Sequence, residues 1–254
     1  MHMEISHSSE DVVAIQTLVN RLDLRDKIRQ RREDWASSTE DFTPDNIWHA
    51  MIACLVTTQQ RSLPGGRVHQ FLSQEPFPLA LDACRQRAAS IEEFVAETVA
   101  LGGLRRQNRI AVSCKENFAI LIEADGVRLL QERLRALLVS YQQSAESGAP
   151  FVRSAERDAA RYVASLLHGI GPKQSRNLLL YLGLLRNEVL LDSRTTDWIR
   201  RKLAAPSVPF HLPAMALQDE AFYSFVVDAV QSLCDDVGIL ASDFDAGAFY
   251  DEER

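Results

Sequence analysis

The chain has 254 residues, of which 46% are hydrophobic and 25% charged, and its formal net charge is −7 at pH 7. This length allows one large domain or two small ones, and the composition is that of an ordinary globular protein with a sizeable core. Such an acidic chain argues against general nucleic-acid binding, and no apolar run approaches the roughly 18 residues of a membrane span.

The positions of the charged residues and cysteines along the chain indicate which ligands and metal sites are to be expected. Residues 151–202 carry 10 Lys/Arg against 5 Asp/Glu, whereas residues 219–254 carry 1 Arg against 10 Asp/Glu. The first segment could attract phosphate, and the second is expected to form a solvated acidic face or tail. The four cysteines are too far apart for a zinc or iron–sulfur site and are expected to be reduced, buried thiols. The N-terminal sequence MHMEISHSSE does not resemble a signal peptide.

Apolar residues recur at helical spacing along nearly the whole chain, which predicts an all-α protein. In chain order, helices are predicted over 48–56, from 91 onward after a Ser90–Glu93 capping box, and over 130–141, 157–167, 173–183, 193–203 and 222–233. Breaks are predicted at 63–66, 76–78, 146–150 and 206–213, where glycine and proline cluster. The segment EVLLD at 188–192 is too short to be assigned as a strand.

The sequence HGIGPKQSRN, residues 168–177, interrupts this helical pattern. Gly169 and Gly171 allow a tight turn with exposed amides, and Pro172 suits the first turn of the helix that follows. The N-terminus of that helix combines free N–H groups with the positive end of the helix dipole, so it can bind an anion such as a DNA phosphate. A glycine-containing turn between two helices can also be purely structural.

Asp192 follows Lys173 by 19 residues in the sequence. Lys173 lies at the start of the helix after the turn, and Asp192 lies directly before the next predicted helix. Asp192 in VLLDSRTTDW can simply be the N-cap of the next helix, and Lys173 can be an exposed lysine beside a turn. At this spacing after GIGP, the two residues also form a candidate catalytic pair.

LLHGIGPKQSRNLLLYLG followed by VLLDSRTTDW resembles the helix–hairpin–helix DNA glycosylases with a catalytic lysine, most closely the archaeal and bacterial 8-oxoguanine DNA glycosylases. The similarity is strong over residues 157–200 and weaker over IACLVTTQQRS (52–62) and GGLRRQNRIA (102–111). It implies two helical subdomains that flank a DNA-binding cleft. Residues 45–176 would form a helical barrel that ends in the hairpin, and residues 1–44 with 177–254 would form the second subdomain.

The resemblance implies a base-excision repair enzyme, a glycosylase with AP lyase activity, that acts on double-stranded DNA containing an oxidised purine such as 8-oxoguanine. Such an enzyme takes the damaged nucleotide out of the duplex. Lys173 would attack C1′ as a neutral amine, a form that a helix N-terminus and desolvation favour, and Asp192 would assist. Release of the base leaves a Schiff base, and β-elimination then nicks the strand. We expect a monomer in a prokaryotic cytoplasm, associated with the nucleoid.

The resemblance also implies contacts to the DNA backbone and to the space left by the extruded base. The amides of Gly169, Gly171 and Gln174 would hold the backbone near the lesion, and Arg194 would bind a phosphate. Gln59 or Gln60 would fill the gap in the duplex, although either could equally be a solvated loop residue.

Three further side chains could border the base pocket: Asn177, Trp198 and Phe210. Asn177 shares a helix face with Lys173, but each of the three could equally be an ordinary core or surface residue. By position in the family, the backbone carbonyls of Ser165, Leu167 and Ile170 would bind a structural K⁺ or Na⁺ ion.

The sequence departs from this family at two places. Arg194 stands where many relatives have histidine, and the chain ends in FYDEER, unlike a terminus that reads a base. Another modified base is therefore an alternative substrate. No cysteine quartet follows Asp192, which excludes an iron–sulfur cluster, and we expect no required cofactor. A non-catalytic helix–hairpin–helix DNA-binding module and a helical scaffold protein remain alternatives from other classes.

Overall fold

The computed structural model describes residues 7–37, 42–58, 60, 65–147, 152–203 and 216–251. Over these residues the protein is helical and contains no strand, so the predicted all-α class is confirmed. None of the described helices is both long and apolar enough to cross a membrane. The α-helices are α1 (Ser9–Asn20), α2 (Leu22–Ser37), α3 (Pro44–Val56), α4 (Arg67–Leu72), α5 (Leu81–Gln86), α6 (Ile91–Leu101), α7 (Gln107–Phe118), α8 (Gly126–Ser147), α9 (Arg153–Leu166), α10 (Pro172–Tyr181), α11 (Ser193–Lys202), α12 (Glu220–Val237) and α13 (Ala241–Asp251).

The helices predicted from apolar spacing are present as α3, α6 and α8 to α12. The predicted capping box before α6 is wrong, because a 3-10 turn over Ala88–Ser90 leads into this helix and the Ser90 side chain caps no amide. A capping box instead begins α1, where Ser8 and Asp11 bond reciprocally.

The chain forms two compact units, Glu40–Leu182 and Met1–Thr39 with Gly183–Arg254. We call the first the α3–α10 unit and the second the terminal unit. The sequence places the boundaries at 45 and 176, whereas the first unit extends to 182, because α10 packs along its length against α3 and α9.

The core of the α3–α10 unit is built around α3, whose residues from Ile47 to Val56 are almost all buried because both faces of this helix are apolar. Trp48 donates a hydrogen bond from Nε1 to the Leu79 carbonyl at 2.9 Å and meets the edge of the Phe118 ring. Cys54, Cys84 and Cys114 lie buried in this unit as free thiols, as predicted, and burial raises the pKa of Cys84 to about 12.

The terminal unit packs α1, α2 and α11 to α13 around an apolar core that includes Trp198, Tyr223 and Phe244. Its acidic C-terminal helix is not a solvated face. Asp243 and Asp245 are 2% and 3% exposed, and they pair with Arg32 and Arg31 of α2. The expectation of a solvated acidic tail is therefore wrong for α13, because the partners of these carboxylates lie more than 200 residues earlier in the chain.

Candidate functional site

The glycine-rich turn of the predicted motif joins α9 to α10. α9 ends at Leu166, Gly169 has a φ of 79°, and α10 begins at Pro172 with Gly171 as its N-cap. Gly171 carries no side chain that could accept a hydrogen bond, so the first-turn amides of Lys173 and Gln174 have no side-chain cap. The N-terminus of α10 therefore presents uncapped donors beside an exposed turn, as the sequence predicts.

α7 holds this turn in place through Asn117, which is fully buried. Asn117 accepts a hydrogen bond from the His168 amide at 2.7 Å and donates one to the His168 carbonyl at 3.0 Å. Ser113, one turn earlier, lies 3.2 Å from Nδ1 of His168. Because both backbone groups of His168 are satisfied by one side chain, the turn is fixed to the core of its unit. The sequence gives no signal for this role, since Asn117 reads as one polar residue in an amphipathic helix.

Replacing Gly169 with alanine should destabilise the protein more than an ordinary glycine replacement. A Cβ at this position would lie 2.5 Å from Oγ of buried Ser113, on a backbone with φ +79°. We expect the free energy of unfolding in urea to fall by about 3 kcal/mol, from the left-handed strain and the steric clash together.

Gly238→Ala is the matched control, because Gly238 has a φ of +75° but nothing within 4 Å of an added Cβ. It should cost only about 1 kcal/mol. Equal losses for the two variants would show that α7 does not confine the turn.

Lys173 is the second residue of α10 and is partly buried. No carboxylate of the described part of its own unit forms an ion pair with it, and its charge acts on the Cys54 thiol of α3. Burial raises the pKa of the Cys54 thiol, and the Lys173 charge and the Asn177 side chain oppose that rise. Lys173 itself lies in the first turn of α10, at the positive end of the helix dipole.

The side chains of Gln174, whose amide is predicted to hold the DNA backbone, and of Asn177, a predicted base-pocket residue, belong to a buried network with α3. Gln174 donates from Nε2 to Thr58 Oγ1 at 2.6 Å, and Asn177 donates from Nδ2 to Gln174 Oε1 at 3.2 Å. Thr58 in turn donates to the Cys54 carbonyl at 3.0 Å. The Gln174 side chain is therefore engaged within the unit, and the predicted DNA contact of its backbone amide stays a prediction. Asn177 is 8% exposed and lies beside Cys54, so its predicted proximity to Lys173 on α10 agrees with the structure.

Gln60, predicted to fill the gap left by an extruded base, makes structural contacts instead. Its Oε1 accepts the Arg105 amide at 2.8 Å, and its Nε2 donates to the Val56 carbonyl at 2.9 Å. Gln60 thus ties the end of α3 to the turn between α6 and α7. Gln59 lies outside the described residues.

The turn that Gln60 holds carries arginines that the sequence did not single out. Arg105, Arg106 and Arg109 flank the start of α7, and Arg106 adopts a left-handed φ of 63°. None of the three forms an ion pair within the part of the chain that the structure describes. Leu101 at the end of α6 is 90% exposed. The doublet after two glycines in GGLRRQNRIA was the available signal for this basic turn.

Asp192 is the N-cap of α11 in the terminal unit. Its Oδ1 accepts hydrogen bonds from the amides of Arg194 and Thr195, each at 2.9 Å. Oδ2 lies 3.4 Å from Nε of Arg194. The simpler interpretation of Asp192 as a cap is confirmed, and it leaves Oδ2 less completely hydrogen-bonded than Oδ1.

The remaining predicted residues of the terminal unit have different environments. The Arg194 guanidinium stacks 3.7 Å from the centroid of the Phe249 ring, so this side chain is held beside Asp192. Trp198 is 2% exposed, packs against Phe244 and donates to Asp251 at 3.1 Å. Its predicted place in a base pocket is therefore wrong, because the ring belongs to the apolar core. Phe210 lies outside the described residues.

The predicted cation ligands Ser165, Leu167 and Ile170 lie around the end of α9. Ser165 belongs to its last turn and Leu167 is its C-cap, so their carbonyls follow the end of regular helical bonding. The Leu167 carbonyl accepts a long bond of 3.4 Å from the Ile170 amide. The monovalent cation at these carbonyls stays a prediction.

The solved structures that share this fold include three of 8-oxoguanine DNA glycosylases. The 8-oxoguanine DNA glycosylase of Thermotoga maritima is 13% identical, with a TM-score of 0.63 over 94% of this chain and 96% of that one. The 8-oxoguanine DNA glycosylase of Methanocaldococcus jannaschii is 15% identical, with a TM-score of 0.62 over 95% and 92%. A complex of the 8-oxoguanine glycosylase/lyase of that organism with 15mer DNA containing 8-oxoguanine is 13% identical, with a TM-score of 0.58 over 95% and 96%. No protein-family model and no curated protein matches the sequence. The chain therefore has the fold of the 8-oxoguanine DNA glycosylases.

Proposed function

We propose that this protein is a DNA repair glycosylase with AP lyase activity and that it removes an oxidised purine, with 8-oxoguanine as the first candidate. The observation that carries the proposal is the placement of Lys173. It lies at an uncapped helix N-terminus directly after a glycine turn, in a chain whose fold matches 8-oxoguanine DNA glycosylases over nearly its whole length.

Lys173 is proposed as the nucleophile. The neutral amine attacks C1′ of the extruded nucleotide, and the glycosidic bond breaks with its electron pair leaving on the base. Loss of a proton from nitrogen and opening of the sugar give a Schiff base. Removal of a C2′ proton then breaks the C3′–O bond and nicks the strand. The chain contains few lysines, at 27, 115, 173 and 202, and Lys115 is paired with Glu92 while Lys27 covers the Tyr250 ring.

Asp192 is proposed to assist by stabilising positive charge on the sugar as the base departs. Oδ1 accepts hydrogen bonds from two backbone amides, and these bonds fix the orientation of the carboxylate. Oδ2, which accepts no backbone amide, is proposed as the oxygen that stabilises this charge.

Backbone binding is proposed for the amides at the start of α10 and for the arginine turn before α7. Replacing Arg105, Arg106 and Arg109 with glutamine should weaken duplex binding without changing base preference, because phosphate contacts carry no sequence information. Each arginine that neutralises a phosphate should contribute about 0.9 to the slope of log affinity against log salt.

Arg128→Gln is the control for this series, since Arg128 is an exposed arginine of the same unit that is paired with Asp125 and Glu132. Its salt slope should equal that of the unaltered protein. Unchanged slopes in all three turn variants would remove this turn from the DNA interface.

A monovalent cation is proposed at the carbonyls of Ser165, Leu167 and Ile170. When bound there, K⁺ or Na⁺ would add positive charge beside the turn amides that hold a phosphate. Gly169 and the uncapped start of α10 supply the neighbouring donors from the chain itself.

A panel of duplexes, each with one modified base, tests the proposed function. Direct strand nicking reports glycosylase and lyase action together, whereas cleavage that appears only after alkali reports base release alone. We expect nicking on at least one oxidised purine and none on undamaged duplex. Salt-sensitive binding with no cleavage of any duplex would favour the non-catalytic binding module, and absence of salt-sensitive binding would favour a scaffold. Nicking of a different lesion only would support the other-modified-base alternative.

A further inference from the structure

The segment that leads into Asp192 is held by side chains instead of by a neighbouring strand. The Leu191 amide donates to Tyr223 Oη at 2.9 Å, and the same hydroxyl donates to the Val189 carbonyl at 3.0 Å. The Leu190 amide donates to Asp245 Oδ1 at 3.1 Å. Buried backbone groups need partners, and here two side chains of α12 and α13 supply them.

Asp245 is itself held from behind by α2. Arg31 donates from Nη2 to Asp245 Oδ2 at 2.9 Å, and the two side chains are 15% and 4% exposed. The carboxylate thus joins α2 to the backbone two residues before Asp192. Such a buried pair is costly to break from one side, because removing either partner leaves an uncompensated charge.

Leu190, within this segment, is also hydrogen-bonded to Asp192. The Asp192 amide donates to the Leu190 carbonyl at 2.8 Å, so the residue that Asp245 holds also bonds the candidate catalytic residue. Burial raises the pKa of Asp245, Arg31 opposes that rise, and the charge of Asp192 adds to it. The two carboxylates are therefore close enough to influence each other.

We infer that Tyr223, Asp245 and Arg31 form a cradle that sets the position of Asp192, which makes Asp245 a positioning residue for the reaction. This inference rests on the proposed function, because it assigns Asp192 a chemical task. It also gives the acidic C-terminal helix a role: α13 supplies the carboxylate that places the N-cap of α11.

Asp245→Asn and Tyr223→Phe test the cradle, and Asp243→Asn is the matched control. Asp243 lies on the same helix, is equally buried and pairs with Arg32, but its other bond is to the Leu240 amide at the start of its own helix. In hydrogen exchange, the Leu190 amide should exchange about tenfold faster in Asp245→Asn and the Leu191 amide about tenfold faster in Tyr223→Phe. Asp243→Asn should leave both amides protected. Unchanged protection in both cradle variants would overturn the inference.

The activity arm uses a duplex with one central 8-oxoguanine under single-turnover conditions. Asp245→Asn should slow base release on the order of tenfold, since a small displacement of a reacting group is costly. In an Asp192→Asn background, the same change should have no further effect, because Asp245 acts only through Asp192. Rate losses that multiply would overturn the positioning role and leave Asp245 a purely structural residue.

The two arms separate the failure of this inference from the failure of the proposed function. If the unaltered protein binds but does not cleave the duplex panel, the proposed function fails, whereas the exchange arm still decides whether the cradle holds residues 189–191. If the unaltered protein cleaves and the exchange of both amides is insensitive to the cradle variants, the cradle alone fails.

Discussion

Lys173→Gln should abolish covalent trapping by borohydride and lower the single-turnover rate of base release by about 10³-fold or more, because the reaction loses its nucleophile. Affinity for a duplex with a non-cleavable abasic-site analogue should stay nearly unchanged, since the turn amides that would bind the backbone remain. The free energy of unfolding should change by less than about 0.5 kcal/mol. The Lys173 side chain is partly exposed and has no ion-pair partner in the described part of its unit, so its replacement breaks no ion pair there.

Lys115→Gln provides the matched control for this variant. Lys115 is in the same unit, but it lies on α7 and is paired with Glu92 at 2.9 Å. Its replacement should leave trapping and base release unchanged. A Lys173→Gln protein that still forms the borohydride adduct would show that another amine is the nucleophile.

Asp192→Asn should lower base release by about 10²- to 10³-fold while leaving stability nearly unchanged. The asparagine oxygen can still accept the Arg194 and Thr195 amides, and asparagine caps helices as well as aspartate does. Asp192→Ala should lose activity to a similar extent and also about 1 kcal/mol of stability, because the cap is removed. Single-turnover assays and urea unfolding of the same preparations separate the two effects.

Asp219 supplies the control, because it caps α12 of the same unit through a 2.8 Å bond from the Phe222 amide. Asp219→Ala should show the stability loss of Asp192→Ala with no loss of base release. If Asp192→Asn retains full activity and only Asp192→Ala is impaired, the residue is a helix cap and nothing more.

The sequence predicts the part of the structure that depends on neighbours along the chain. The turn at 168–171 and the helix after Pro172 follow from glycine and proline at defined places, and Asp192 follows from N-cap preference. These features depend on the backbone preferences of residues that are adjacent in the sequence, so a short segment is enough to predict them. The chemical role of Lys173 and Asp192 comes from the resemblance to the helix–hairpin–helix DNA glycosylases and stays a prediction.

The features that the sequence did not predict depend on partners far away in the chain. Asp245 reads as one of many acidic residues near the C-terminus, and only Arg31 and the Leu190 amide make it a buried anchor. From the sequence Trp198 could be a stacking or a core aromatic, and its packing against Phe244 shows that it belongs to the core. Gln60 similarly acquires its role from the Arg105 backbone, 45 residues later.

Peptide mapping of the borohydride-trapped complex tests the central claim most directly. The unaltered protein is incubated with duplex containing 8-oxoguanine or an abasic site, reduced, digested and analysed by mass spectrometry. We predict that the sugar remnant is attached to Lys173, in a chain whose other lysines are at 27, 115 and 202. Attachment to another amine, or no adduct with either duplex, would contradict the account.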